Sequence, residues 1–161
     1  MRSFRHRLPE RVRAVLDLEP GERVLAAARA DDGSYVVATD RALHRVPGVR
    51  IPWHDVDQAR WDADTDTLHL LQDGEPRRAH RMRLERPGRL PETVRERVQS
   101  SIVISQRVRL SGKLGARIVG RRQPGREELL WRVLLDPGLD PDDPLVREAI
   151  EHALAELRAQ T

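Results

Sequence analysis

Short apolar stretches separated by turn residues fill the segment between residues 23 and 85, and this pattern restricts the fold more than any other feature of the sequence. Asp31-Asp32-Gly33, Pro47-Gly48 and Asp73-Gly74 are typical turn sequences. Each of them lies between two stretches that have the length and residue types of strands. The segment is therefore predicted to form six strands joined in sequence.

Three helices and three further strands complete the predicted order. Residues 8–16 carry apolar side chains at helical spacing, and residues 91–99 form a second, short helix. After this helix the apolar residues alternate again, as in strands. We predict strands at residues 23–29, 35–39, 42–46, 49–61, 67–72, 77–85, 101–110, 113–122 and 127–135, with the fourth interrupted at Pro52-Trp53.

The last helix has the clearest beginning. Asp143 is a good N-cap, and Pro144 suits the first helical position. The apolar stripe of this helix consists of Val146, Ala149, Ile150, Ala153, Leu154 and Leu157. We expect Val146, Ile150, Leu154 and Leu157 to be buried.

Antiparallel strands with helices set apart from them predict an α+β fold. The expected architecture is an antiparallel bent sheet with a helix, followed by a three-strand meander and a C-terminal amphipathic helix. Pro87-Gly88 interrupts the pattern between two segments, residues 1–86 with the N-terminal helix and the bent sheet, and residues 87–161. We expect the two segments to form one compact domain.

Charge is segregated along the chain. Residues 77–126 carry 15 basic and 3 acidic residues, a net charge of +12. Residues 31–76, with 4 basic and 10 acidic residues, and residues 127–161, with 3 and 9, each have a net charge of −6. Such asymmetry is typical of proteins that attract an anion. The alternative is that the fold brings the acidic segments against the basic one.

An anion-binding site in the basic segment would use the arginines of its second half. The residues predicted to contact an anion are Arg107, Arg109, Lys113, Arg117, Arg121, Arg122 and Arg126. Arg121, Arg122 and Arg126 flank a predicted hairpin turn, so we expect all three to be exposed. Residues 77–126 contain no aromatic side chain, which disfavours base stacking and leaves contact with a phosphate backbone.

No residue pattern of a known catalytic or cofactor site is present. The chain has no cysteine, and it lacks a Gly-x-Ser-x-Gly nucleophile motif. Ser111-Gly-Lys-Leu-Gly115 lacks the spacing of a phosphate-binding loop and is predicted to be a turn. We therefore predict that the protein is not an enzyme, that it has no catalytic residues and that it binds no cofactor.

Two groups of potential metal ligands do not match the full spacing of a known metal site. Asp62, Asp64 and Asp66 match the first three ligands of a calcium loop, but the glycine and glutamate that such a loop needs further on are missing. Three histidines lie in predicted strands without the spacing of a helical zinc site: His44, His69 and His80. We predict that no metal is bound and that the aspartates form a hairpin tip.

Residues 18–71 contain three motifs in a recognisable order. Leu18-Glu-Pro-Gly-Glu-Arg-Val-Leu25 is followed by Tyr35-Val-Val-Ala-Thr-Asp-Arg-Ala-Leu-His-Arg-Val46 and by Arg50-Ile-Pro-Trp-His-Asp-Val56. This arrangement resembles the bacterial pleckstrin-homology-like and GRAM-like domains. The resemblance implies a PH-like half-barrel closed by a helix, here the helix after Pro91, and it implies binding of proteins or lipids. The three-strand and helix segment that follows this closing helix lies outside the resemblance.

The leading hypothesis is a non-catalytic soluble interaction module that binds a protein partner or a second copy of itself. The alternative is an anion-binding module that contacts nucleic acid or anionic lipid head groups through residues 77–126. No apolar stretch approaches the ~20 residues that a transmembrane helix needs. We therefore expect a cytoplasmic protein without a transmembrane segment.

Overall fold

The computed structural model describes residues 8–74 and 76–161. In chain order its elements are α1 (Glu10–Val15), β1 (Val24–Arg29), β2 (Tyr35–Thr39), β3 (Ala42–Val46), β4 (Val49–Pro52), a 3-10 helix (Trp53–Asp55), β5 (Val56–Asp62), β6 (Thr67–Gln72), β7 (Arg78–Arg83), α2 (Leu90–Ser101), β8 (Ile102–Ser111), β9 (Leu114–Arg122), β10 (Leu129–Leu135) and α3 (Pro144–Ala159). The order confirms the predicted α+β fold. The chain divides into two compact units, unit 1 up to Ser101 and unit 2 from Ile102.

Unit 1 contains two antiparallel sheets, one in the order β1-β2-β3-β4 and one in the order β5-β6-β7. The 3-10 helix at Trp53–Asp55 separates them at the interruption that Pro52-Trp53 predicts, because proline cannot donate to a continuing strand ladder. An antiparallel bridge between Ala30 and Leu84 connects the end of β1 to the chain just after β7. The two sheets are thus linked at two places.

Helix α2 packs on the strands of unit 1. Leu90, Val94 and Val98 recur every four residues on one face of α2 and are buried in one cluster with strand residues such as Leu43 and Leu68. Burying a side chain of this size is worth about 1.5–3 kcal/mol. The Pro87-Gly88 break assigns this helix to the predicted second segment, residues 87–161. In the structure its buried apolar face makes it part of unit 1.

Helix α1 is shorter than the predicted segment of residues 8–16. Leu8 and Val12 are buried against Val37 and Val46, as the helical spacing predicts. Val15, at the end of the same apolar stretch, is 59% exposed. The helix ends at this residue, and the extended backbone of Leu16 turns the chain away before another turn can form.

Unit 2 is the predicted three-strand meander, in the order β10-β9-β8, followed by α3. Because side chains alternate along strands, the register gives the sheet two different faces. One face carries mainly apolar side chains from all three strands: Val108, Ala116, Ile118, Trp131 and Val133. The other face is rich in arginine.

Helix α3 begins as predicted. The Asp143 side chain accepts a hydrogen bond from the Leu145 amide at 2.9 Å, and Pro144 is the first helical residue. Val146 and Leu157 are buried, which confirms two of the four burial predictions for this helix. Ile150 and Leu154 are only partly buried, so the prediction for them is wrong. A three-stranded sheet is too small to cover the whole face of a sixteen-residue helix.

Candidate functional site

A groove of about 340 Å³ lies in unit 1 between β5 and the beginning of α2. The residues that line it are Ala59, Trp61, Leu68, Pro87, Gly88, Pro91, Glu92 and Arg95. Its floor is apolar, with Leu68 buried and Trp61 partly exposed. The exposed Glu92 and Arg95 place one negative and one positive side chain at its rim. The volume lies within the range of ligand pockets, about 300–1,000 Å³.

Strand β5 borders this groove and forms an edge of the sheet β5-β6-β7. The Leu84 amide donates to the Asp66 carbonyl at 2.8 Å, so these two residues form a hydrogen-bonded pair that continues the β6–β7 ladder. Hydrogen-bonded and non-hydrogen-bonded pairs alternate along an antiparallel ladder, so the even-numbered residues of β6 bond to β7 and the odd-numbered ones to β5. By that alternation, the even-numbered residues of β5 bond to β6, and the amides and carbonyls of Ala59 and Trp61 point away from it. The two residues whose backbone groups point outward, Ala59 and Trp61, thus also line the groove.

Unit 1 also contains a buried carboxylate, that of Glu22, which is 5% exposed. Its Oε2 accepts hydrogen bonds from the Thr39 hydroxyl and from His44 Nε2, the latter at 2.8 Å. Its Oε1 accepts from the Glu19 amide at 2.9 Å and lies 3.6 Å from the Arg50 guanidinium. An ionised carboxylate can only accept hydrogen bonds, so Nε2 of His44 carries the proton.

Burial raises the pKa of Glu22, but the hydrogen bonds from His44, Thr39 and the Glu19 amide lower it by more. The pKa of Glu22 therefore lies below its ordinary value, and the carboxylate stays ionised. Both of its oxygens accept hydrogen bonds from donors within the protein. The group ties the loop before β1 to strands β2 and β3. Sequence reasoning missed it, because a lone glutamate among turn residues has no distinguishing neighbour.

The register of unit 2 brings three of the predicted anion-binding residues together. Arg107 lies opposite Arg117 across β8 and β9, and Arg109 lies on the same face. The Arg107 guanidinium forms two hydrogen bonds to Asp136, at 3.2 and 2.5 Å. The pKa of Asp136 lies below its ordinary value, first because of these bonds and next because of the Gly115 amide. Part of the positive charge of this face is therefore neutralised.

Of the other four predicted residues, Arg121 shares this face but is buried, and the remaining three do not lie on it. Lys113 is in the β8–β9 turn and Arg126 in the β9–β10 turn, at opposite ends of β9, which spans roughly 30 Å. Arg122 points to the face opposite that of Arg117. Arg121 is 3% exposed, so the prediction of its exposure is wrong. It is part of the β9 ladder and does not project from the hairpin tip. The seven residues thus do not form one site.

The potential metal ligands belong to a turn and to separate faces of two sheets. The Asp62 side chain accepts from the Asp64 amide at 3.0 Å within the β5–β6 turn. His69 and His80 lie on opposite faces of one sheet, and His44 belongs to the other sheet. Among residues 8–74 and 76–161, no group of three or more acidic or histidine side chains is arranged to hold a metal ion.

Comparisons of the chain with protein-family models, with curated protein sequences and with solved structures find no match. Within the described part of the chain, no helix is long and apolar enough to cross a membrane.

Proposed function

We propose that this protein is a non-catalytic cytoplasmic interaction module in which unit 1 is a PH-like domain that binds an extended segment of a partner protein. The order of a four-stranded sheet, a three-stranded sheet and a helix supports the PH-like assignment. The observation that carries the binding proposal is the coincidence of the β5 edge with the groove.

An extended peptide can use both features at once. Its backbone would add to the sheet through hydrogen bonds to Ala59 and Trp61, which is the mode known as β-augmentation. Alternate side chains of the peptide would then enter the groove, where Trp61 and Pro91 offer apolar surface. Glu92 and Arg95 would select peptide residues of opposite charge next to the apolar peptide side chain that enters the groove. The backbone contacts supply affinity, and the groove supplies specificity.

The test begins with selection of binders from a phage-displayed library of random peptides on the full chain. Affinity of a selected peptide is then measured by calorimetry for the parent and for Ala59→Pro. The proline removes an outward amide and leaves the β6 ladder intact. Because one hydrogen bond contributes about 1 kcal/mol and the ring also blocks approach, we expect affinity to fall at least ~10-fold.

Ala79→Pro is the matched control. Ala79 is exposed on β7, the opposite edge of the same sheet, and its amide also points outward. We expect this variant to bind as the parent does. Peptide binding should also slow amide hydrogen exchange at Ala59 and Trp61. Equal affinity for Ala59→Pro and the parent, together with unchanged exchange at these two amides, would exclude the β5 groove as the binding site.

A second candidate function is anion binding by unit 2. It is favoured by the exposed Arg109 and Arg117 on one face of the β8–β9 hairpin, with Lys113 in the adjoining turn. Such a site predicts retention on heparin that weakens steeply with salt. Arg109→Ser with Arg117→Ser should elute at lower salt than the parent. The paired control changes Arg122 and Arg126, which lie elsewhere, and should not. Absence of retention of the parent at low salt would eliminate this candidate.

A further inference from the structure

We propose that the peptide that pairs with β5 carries an acidic residue directly opposite Arg60, with an apolar residue on each side of it. This pattern rests on the proposed function, because it describes the peptide that adds to the β5 edge. A separate observation carries it, a row of basic side chains on the face of the β5-β6-β7 sheet that lies away from the groove.

The register of the three strands produces this row. Arg60 on β5 pairs with His69 on β6, and His69 pairs with Arg81 on β7. Directly opposed residues of a sheet point to the same face. Ala59 and Trp61, the neighbours of Arg60 in the chain, line the groove, so these three side chains lie on the opposite face. We call Arg60, His69 and Arg81 the basic row.

The basic row has no acidic partner within residues 8–74 and 76–161. Arg60 and Arg81 are exposed and His69 is partly exposed, and none of the three forms an ion pair or a side-chain hydrogen bond in that part of the chain. Asp62, on the same face of β5, is close enough for the charge of Arg60 to act on it, but its side chain accepts from the Asp64 amide within the turn. The Arg60 guanidinium therefore keeps its hydrogen-bond donors for a bound chain.

Backbone pairing places one peptide residue opposite Arg60. The outward amides and carbonyls of β5 belong to Ala59 and Trp61, so an antiparallel peptide bonds to these two residues and forms a non-hydrogen-bonded pair at Arg60. The Cα atoms of such a pair are about 4.5 Å apart, and both side chains lie on the same face. Sliding the peptide along β5 changes which of its residues lies there, but it does not change this geometry.

Charge selects the side chain at that position. Opposite charges in a directly opposed cross-strand pair are stabilising, and like charges are destabilising. A glutamate or aspartate would pair with the Arg60 guanidinium, whereas a lysine or arginine would meet a like charge. The peptide residues before and after it point to the other face, where Trp61 and Leu68 form part of the apolar floor of the groove. The partner segment therefore has the pattern apolar–acidic–apolar.

A charge swap on the full chain tests this pairing. From the peptides selected on the parent we take one whose affinity falls with Ala59→Pro, and we replace each of its acidic residues in turn with lysine. We expect one lysine peptide to bind the parent about 3- to 10-fold more weakly and to recover its affinity with Arg60→Glu. Arg60→Gln removes only the charge, so it should bind the two peptides about equally, and it provides the test if Arg60→Glu fails to fold.

Arg81→Glu is the matched control. It changes the charge of the same face by the same amount, but β7 is two strands from β5 and thus about 10 Å further from the peptide. In about 0.15 M salt, where the screening length is about 8 Å, this variant should not restore binding of the lysine peptide. Equal rescue by Arg81→Glu would indicate general attraction, and rescue by Arg95→Glu would place the acidic residue in the groove. Either result would overturn the pairing with Arg60.

The outcomes separate the acidic pattern from the proposed function. Peptides that depend on Ala59 but carry no acidic residue would overturn the pattern and leave β5 pairing intact. The same conclusion follows if neither Arg60 variant changes the relative affinity of the acidic and lysine peptides. If no selected peptide loses affinity with Ala59→Pro, the proposed function fails and the acidic pattern fails with it.

Discussion

Replacing Glu22 with alanine tests the account of the buried carboxylate. The change removes the acceptor of the Thr39 hydroxyl, the Glu19 amide and His44 Nε2. Thr39 keeps an alternative acceptor, the Ala42 carbonyl at 3.1 Å, so the main unsatisfied donor is the buried His44. Breaking a buried, hydrogen-bonded pair of this kind costs about 3–5 kcal/mol. This is a large part of the 5–15 kcal/mol that typically separates folded from unfolded protein.

Urea unfolding at pH 7, followed by circular dichroism and tryptophan fluorescence, measures the loss. Glu19→Ala is the matched control, because it removes a carboxylate three residues away that is exposed and pairs with Arg41 and Arg50, each at 3.3 Å. We expect this control to lose less than about 1 kcal/mol. If Glu22→Ala also stays within about 1 kcal/mol of the parent, the carboxylate does not hold the loop to the strands.

The lowered pKa of Glu22 also predicts the direction in which the free energy of unfolding changes with pH. The folded-state pKa of Glu22 lies below the ordinary value of 4.5, so the ionised group stabilises the fold above that pH. This contribution is lost as pH falls through the lowered pKa of the folded state. The difference in unfolding free energy between the parent and Glu22→Ala should therefore shrink on acidification. A difference that is constant from neutral pH to about pH 2 would contradict the lowered pKa.

Three further changes test other parts of the fold by thermal unfolding. Leu157→Ala should cost about 2–5 kcal/mol, and Leu154→Ala should cost less because Leu154 is only partly buried; equal losses would contradict the observed burial of α3. Gly115→Ala should cost about 1–3 kcal/mol, because its Cβ would lie 2.2 Å from the Val108 carbonyl oxygen and force β8 and β9 apart; an unchanged melting temperature would argue against this close approach. Millimolar calcium should leave the melting temperature unchanged, and a clear rise would contradict the prediction that no metal is bound.

The elements of this protein could be predicted from the sequence because their boundaries are local. The predicted strands at 35–39, 42–46 and 67–72 have the observed bounds. Gly33 and Gly48 have φ values of +86° and +94°, a conformation that other residues rarely adopt, so these positions mark turns whatever the rest of the chain does. The cap of α3 at Asp143 depends on adjacent residues in the same way.

The arginines show where local reasoning fails. Arg121 and Arg122 are neighbours near a turn, and the sequence predicts that both project into water. Strand β9 continues through Arg122, so the two side chains point to opposite faces of the sheet, and Arg121 is buried. The length of a strand and the covering of its two faces are not properties of a dipeptide. A count of charges therefore could not identify which arginines share a surface.

The sequence by itself determined where the helices and strands lie, because turn geometry and side-chain periodicity are properties of neighbouring residues. Only the tertiary structure decided which strands form edges, since that depends on pairing between distant segments. It placed Ala59 and Trp61 at an edge beside α2, and it left β10 without a neighbour on one side within the described residues. It also brought Glu22 to Thr39 and His44, 17 and 22 residues away. Candidate sites made of such long-range contacts emerge only when the chain has folded.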